Sequence, residues 1–257
     1  MPGPKALVFP TTPVQPVIVV PTPSPVAQVK FVDPPKKTQP AAPIFANGNE
    51  SQIEVAFKHI KSKYTEIAVQ SEEEIRRQIS QLYPFNVTEI MDWGSLWMSN
   101  ATQWITRVSE TTKQHTSLGI NTALSEAMQS MSPKGLKKLF GRGNPTVHLT
   151  NLVQLRQPAV ETIGAVDQLM RESAKIKQKL TVRMVTIGAV LDLADTTAIE
   201  ESIEQALHNR YNLLIRSLQQ FEFSLAQLTS LKTLITNDIS RLDEMTNSTI
   251  PTFLAAN

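Results

Sequence analysis

The chain has 257 residues (28.5 kDa) with 41% hydrophobic and 19% charged content, no cysteine, nine glycines and seventeen prolines. This is enough for one sizeable core or two small ones, and it excludes a disulfide-stapled module, a cysteine zinc finger and any thiol nucleophile. With 25 Lys+Arg against 23 Asp+Glu there is no strong basic field for nucleic acid, and no run reaches the ~18 apolar residues of a membrane span.

Twelve of the seventeen prolines fall within residues 1–43. Each fixes φ and removes an amide donor, so residues 1–48 are predicted to be an extended, partly polyproline II arm. It reads as a disordered tether or, alternatively, as a docking strand or PxxP ligand. The apolar stretch after Lys5 is broken by Pro10, Pro13 and Pro16, so no signal-peptide helix is expected. The chain is then expected to stay in the cytoplasm unless a dedicated secretion system exports it.

A second region is predicted over residues 49–145. Asn47-Gly48-Asn49 is a turn signal, and Ser51 to Glu54 reads as a capping box at a helix start. Ile53, Phe57, Ile60, Tyr64 and Ile67 share one helix face. Ser71 to Glu74 either caps a new helix or marks a stutter, and Tyr83-Pro84 ends the element. Asn86 looks like a second cap. After it Ile90, Trp93, Trp97, Trp104 and Val108 fall in one narrow arc at 100° per residue. That stripe reads as core-facing, with a partner-binding or membrane-surface face as the alternative. Residues 109–121 are polar and Thr-rich, predicting a loop or poor helix, with a short helix at about Thr122 to Met131. Lys134, Lys137, Lys138 and Arg142 then gather around Leu136, Leu139 and Phe140. This corner lacks the GxxxxGK[ST] spacing of a phosphate loop; it reads as solvated, or as a partner-binding patch together with Trp93, Trp97 and Trp104.

The third region, residues 146–257, predicts a long helical hairpin. Pro158 suits a first helical turn. From Ala159, Ile163 and Val166 to Leu180, Met184, Ile187 and Leu191 the spacing is 4, 3, with a polar interruption at Ser173 and Lys177. A tight turn is expected at Asp195 to Thr197. Leu207, Tyr211, Leu214, Leu218, Phe221, Leu225 and Leu228 repeat the pattern, and after one stutter Leu231, Ile235, Ile239 and Leu242 carry it on to Pro251. The two helices should span roughly 55 and 75 Å. A short turn places Leu214 and Leu218 against Ser173 and Lys177. The predicted fold is all-α: an elongated bundle on a long antiparallel coiled-coil hairpin, with a proline-rich arm.

Catalytic signals are sparse. His59, His115, His148 and His208 lie far apart without metal-ligand spacing, and there is no HExxH, GxSxG or Rossmann fingerprint. Asp192, Asp195, Glu200, Glu201 and Glu204 make the hairpin tip acidic, which a solvated coiled-coil end explains without a cation or acid–base role. No catalytic, cofactor or metal residue is assigned, and an enzyme is the weakest of the function classes.

The close of the chain, Ser240-Arg241-Leu242-Asp243-Glu244-Met245-Thr246-Asn247-Ser248-Thr249-Ile250-Pro251, resembles that of TelA-like toxic-anion (tellurite) resistance proteins. Lys138-Leu139-Phe140-Gly141 ahead of the hairpin fits the same pattern. The chain departs from it in being shorter, in having Phe253 where a tryptophan is expected, and in lacking a Pro-Gln-Ile-Arg stretch. Its length and Pro-rich start are more similar to KlaA-type proteins of plasmid-borne kilA operons. The resemblance implies a non-enzymatic cytoplasmic protein of a tellurite-resistance operon, linked also to host lethality and to fertility inhibition between plasmids. Its implied partners are a TelA-like protein and an operon membrane protein, with peripheral inner-membrane association and homo-oligomerisation both open. The alternative is a membrane-active helical protein, an exported pore-former or translocator, suggested by the Trp stripe and the hairpin helices.

Overall fold

A computed structural model describes residues 50–131, 145–194 and 199–256. The predicted arm, the basic corner of Lys134, Lys137, Lys138 and Arg142, and the turn at Asp195 to Thr197 lie outside the described residues. Among the described residues every regular element is helical and there is no strand, so the all-α expectation holds. The elements are α1 Glu50–Lys63, α2 Thr65–Gln70, α3 Glu72–Leu82, α4 Val87–Asp92, α5 Ser95–Ser117, α6 Ile120–Ser130, α7 Pro145–Ala194, α8 Glu201–Glu244, a π turn at Met245–Thr249 and α9 Ile250–Ala256.

The hairpin of α7 and α8 is the frame. Leu207, Leu214, Phe221, Leu228, Ile235 and Leu242 recur every seventh residue along α8, and each is 0% exposed. Burying such a side chain contributes about 1.5–3 kcal/mol, so this one column is a large share of what holds the helices together. Across the hairpin, Lys177 pairs with Glu222 at 2.9 Å, Asp167 with Lys232 at 2.7 Å and Arg156 with Asp243 at 2.6 Å, and Gly188 lies against the Tyr211 ring. The residue numbers of each pair add to the same total, so the helices are antiparallel in one unbroken register.

That register corrects the predicted one. Lys177 meets Glu222, not Leu214, a shift of about two helical turns. The apolar core is the reason: this register carries Leu169, Ile176, Leu180 and Ile187 of α7 and Leu207, Leu214, Phe221 and Leu228 of α8 into one buried cluster. Lys177 also leaves the seam for solvent, and Leu169 and Ile176 take the buried positions in its region.

Two further expectations are overturned. Pro158 lies inside α7, thirteen residues after its start. The helix continues because Leu152 and Ala159, both 0% exposed, are locked against α6, the end of α8 and α9. Packing of this kind offsets one missing amide donor. Residues 109–117 are helical too. Thr102, Thr106, Thr111, Thr112 and Thr116 each return their hydroxyl to the carbonyl four residues back. Val108, Thr111 and His115 are buried beneath them, so tertiary contact outweighs weak propensity.

The remaining helices cover the frame in three places. Phe57 and Ile60 of α1, with Ile75 and Ile79 of α3, pack on Val182, Val185 and Ala189 of α7. α4 and α5 fill the groove between α7 and α8, and α6 and α9 close the other end. The helix starts are mixed. Asn86 caps α4 as expected, accepting from the amides of Thr88 at 2.9 Å and Glu89 at 3.4 Å. Ser71 precedes α3 without capping it; its hydroxyl accepts instead from Gln178 of α7. Glu54, expected in a capping box, lies within α1 and takes Arg76 of α3 at 2.7 Å; that hydrogen bond holds its carboxyl below the usual range.

Candidate functional site

The three tryptophans do not form one helical stripe. Gly94, at φ +79°, breaks the chain between α4 and α5, and Trp93 is the extended residue that ends α4. All three nevertheless reach the same core. Trp104 is 1% exposed, donates from Nε1 to the Leu169 carbonyl at 3.0 Å and stacks against Phe221 at 4.5 Å. Trp93 is 8% exposed. Trp97 is half-buried, with the Arg183 guanidinium 5.7 Å above its ring. Trp93 and Trp104 are therefore spent on the interior, which is the core-facing reading of the arc.

The structure assembles a set of buried polar groups that the sequence reading missed. On α8, next to the all-apolar column, a second seven-residue column runs Arg210, Ser217, Ser224, Leu231, Asp238. It faces α4 and α5. At one end Arg210, 3% exposed, donates to the Trp93 carbonyl, to the Asp92 carbonyl at 3.3 Å and to the Ser95 hydroxyl at 2.8 Å. These are the last carbonyls of α4, where a cation is favoured by the helix dipole. Burial lowers the guanidinium's pKa from its ordinary value, yet an arginine so far above neutrality keeps its charge. At the other end His115 Nε2 and Asp238 Oδ2 meet at 3.0 Å, with side chains 5% and 3% exposed. Arg241 lies 3.9 Å from the second Asp238 oxygen and holds Asn121 at 2.7 Å. The signal was available: Arg210, Ser217, Ser224 and Asp238 keep a period of seven beside an apolar column, interrupted once by Leu231.

A second buried cation, Arg183 of α7, donates to the Lys179 carbonyl at 3.1 Å and lies 3.8 Å from Glu74 of α3. Desolvation lowers its pKa, and Glu74 opposes the shift. Near the hairpin tip, Asp192 collects Lys63 at 2.7 Å and His59 at 3.1 Å, tying α1 to α7. The tip is thus partly paired across helices. His208 lies 3.9 Å from Glu204. Where α2 meets α3, an open groove of about 320 Å³ runs along α7, lined by Val69, Ser71, Glu73, Gln178, Lys179 and Val182. Lys179 there is already paired to Glu74 at 3.2 Å. Among the described residues no three His, Asp or Glu side chains gather as a metal site, and no helix is long and apolar enough to cross a membrane.

In each buried cluster the charged groups bridge one helix to another. This defines a class of protein by architecture: an all-α bundle built on an antiparallel hairpin whose interior polar groups fix how the covering helices sit. No family model, curated protein or solved structure matches this chain.

Proposed function

We propose that the chain is a non-enzymatic helical interaction protein that binds other proteins along the outer faces of its hairpin. The observation that carries this reading is the solvent side of the first half of α7. Thr146, Thr150, Val153, Gln157, Val160 and Gly164 follow a 4, 3 spacing, all are exposed, and none is charged. Val153 is 54% exposed. A side chain added at Gly164 would meet nothing within 4 Å, so another helix can approach there closely. Solvent faces of helices are ordinarily charged; a charge-free 4, 3 line is the pattern of a seam for a partner helix.

The resemblance to TelA-like proteins supplies the partners in this reading: a TelA-like protein and a membrane protein of the same operon, which hold the chain peripherally at the inner membrane from the cytoplasmic side. Its contribution to tellurite resistance is then one of assembly. The chain has no cysteine with which to bind or reduce tellurium.

The test is co-expression with those two proteins and purification on the tagged chain. The wild type is expected to retain at least one partner, and Val153→Glu with Val160→Glu to lose it. A wild-type chain that retains neither overturns the proposal. Flotation of the purified chain alone with anionic or neutral vesicles supports the membrane-active alternative in its place.

A further inference from the structure

We infer that the outer side of α8 is a self-complementary seam, occupied by α8 of a second copy of this chain running antiparallel about a two-fold axis near Phe223. The inference extends the reading that the hairpin works through its outer faces, but it stands on a different helix and a different observation. Leu213, Phe223 and Leu234 are the large hydrophobic side chains exposed on α8, at 42%, 66% and 46%. They are not scattered. All three lie on one 4, 3 line along the side of α8 away from α7.

That line has two columns of period seven, and every member is exposed. The first is Leu213, Gln220, Gln227, Leu234. The second is Asn209, Arg216, Phe223, Ser230, Asn237. Read in reverse, the first is unchanged, and the second is unchanged except that Arg216 and Ser230 exchange places. A two-fold interface demands this property, because residue i must meet j while j meets i. Leu213 stands ten residues before Phe223 and Leu234 eleven after it. An axis near Phe223 therefore sets Leu213 of one copy against Leu234 of the other, Gln220 against Gln227, and Phe223 beside its own mate.

The charges agree with this arrangement. Between Asn209 and Asn237 the seam holds one charged side chain, Arg216, which falls opposite Ser230. The two copies of Arg216 are separated by about 20 Å along the axis, beyond the ~8 Å screening length of physiological salt. The other charges on this stretch of α8 that project beside α7, Glu222 and Lys232, are held by Lys177 and Asp167 across the hairpin and stay clear of the seam. Charge depletion with an aromatic at the centre is the composition of an interface core. The paired segment is about 43 Å long, and with its flanks it buries roughly 1,200 Å² in total, the lower end of stable interfaces.

The absence of cysteine from the whole chain makes the test direct. In the full-length protein, Phe223→Cys introduces one thiol at the axis, and Ser240→Cys one thiol at an exposed site that the two-fold places about 50 Å from its mate. Phe223→Cys is expected to cross-link to a covalent dimer with a short bis-maleimide, and Ser240→Cys is not. Sedimentation equilibrium should give a dimer for the wild type. Phe223→Glu should weaken it by roughly thirty-fold, the loss of a central aromatic, with unchanged helicity because Phe223 is two-thirds exposed. A wild type that stays monomeric at 100 micromolar, or equal cross-linking at both thiols, overturns the inference. The two readings fail separately. A dimer that captures no operon partner sinks the proposed function alone, and a monomer that captures one sinks only the seam.

Discussion

Arg210 is the sharpest test of how the covering helices are held, because two large effects oppose each other there. Replacing it with Met keeps most of the buried aliphatic volume and removes the guanidinium. The loss is three hydrogen bonds from a cation, to the Trp93 and Asp92 carbonyls and the Ser95 hydroxyl. The Trp93 carbonyl loses its donor beside a residue that is 8% exposed, and a buried acceptor left unmade costs about 1–3 kcal/mol. The gain is relief of the desolvation that lowers the Arg210 pKa, which for a buried ion amounts to several kcal/mol before compensation. Here the compensation is good, since three oxygens face the guanidinium and two of them end a helix, worth up to ~2 kcal/mol more. We therefore expect Arg210→Met to destabilise by about 2 kcal/mol, lowering Tm by roughly 4–8 °C for a domain of this size. Arg210→Lys should lie between, since an ammonium cannot fork across three acceptors. The assay is thermal and urea unfolding followed by far-UV circular dichroism. If Arg210→Met equals or exceeds the wild type in stability with native tryptophan fluorescence, desolvation outweighs the hydrogen bonds and the capping argument is wrong.

Three other outcomes are expected. Leu207→Ala, at a site 0% exposed, should cost about 2–5 kcal/mol, and Ile187→Asp more, because it places an unpaired charge in the seam; an unchanged melting point for Ile187→Asp would disprove the packing of α7 on α8. Gly94→Ala should cost more than Gly119→Ala. Both backbones are left-handed, at φ +79° and +64°, but a new Cβ at Gly94 comes within 3.0 Å of the buried Arg183 side chain while Gly119 faces open space; about 2–3 against about 1 kcal/mol is expected by urea titration, and equal costs would mean that Arg183 moves freely. The Arg107–Glu172 pair sets a pH window. The hydrogen bond from Arg107 lowers the Glu172 pKa from 4.5, so its stabilisation is present above that value and is lost as pH falls through the folded pKa. Both groups are more than a third exposed, so Arg107→Gln should cost only about 0.5 kcal/mol at neutral pH. The two proteins should converge in acid, and a gap that widens there would refute the sign.

Helix identity was legible because periodicity is local. The column from Leu207 through Leu214, Phe221 and Leu228 to Ile235 and Leu242 is visible in the sequence and buried throughout the structure. The Asn86 cap and the stop at Tyr83-Pro84 were legible for the same reason, since each depends on a few neighbouring residues. The tryptophan arc was half legible: the period put Trp93, Trp97 and Trp104 toward one core, but only the left-handed turn at Gly94 shows that Trp93 belongs to a different element from the other two. The interior polar column of Arg210, Ser224 and Asp238 was missed because its meaning depends on which helix lies over it.

What the sequence determined by itself is therefore the class of fold: apolar side chains at 4, 3 spacing must share a helix face, whatever packs on it. What only the tertiary structure decided is the pairing between helices. Where α7 meets α8 depends on which apolar side chains of the two helices share a core, Leu169, Ile176 and Leu180 with Leu214, Phe221 and Leu228; exposed pairs such as Lys177–Glu222 mark that register without setting it. Whether Pro158 starts a helix or lies within one, and whether Thr111 and Thr116 unwind one, depends on burial by segments distant in the chain. Single-residue propensities there amount to about 1–3 kcal/mol, and packing of comparable or larger size reverses them.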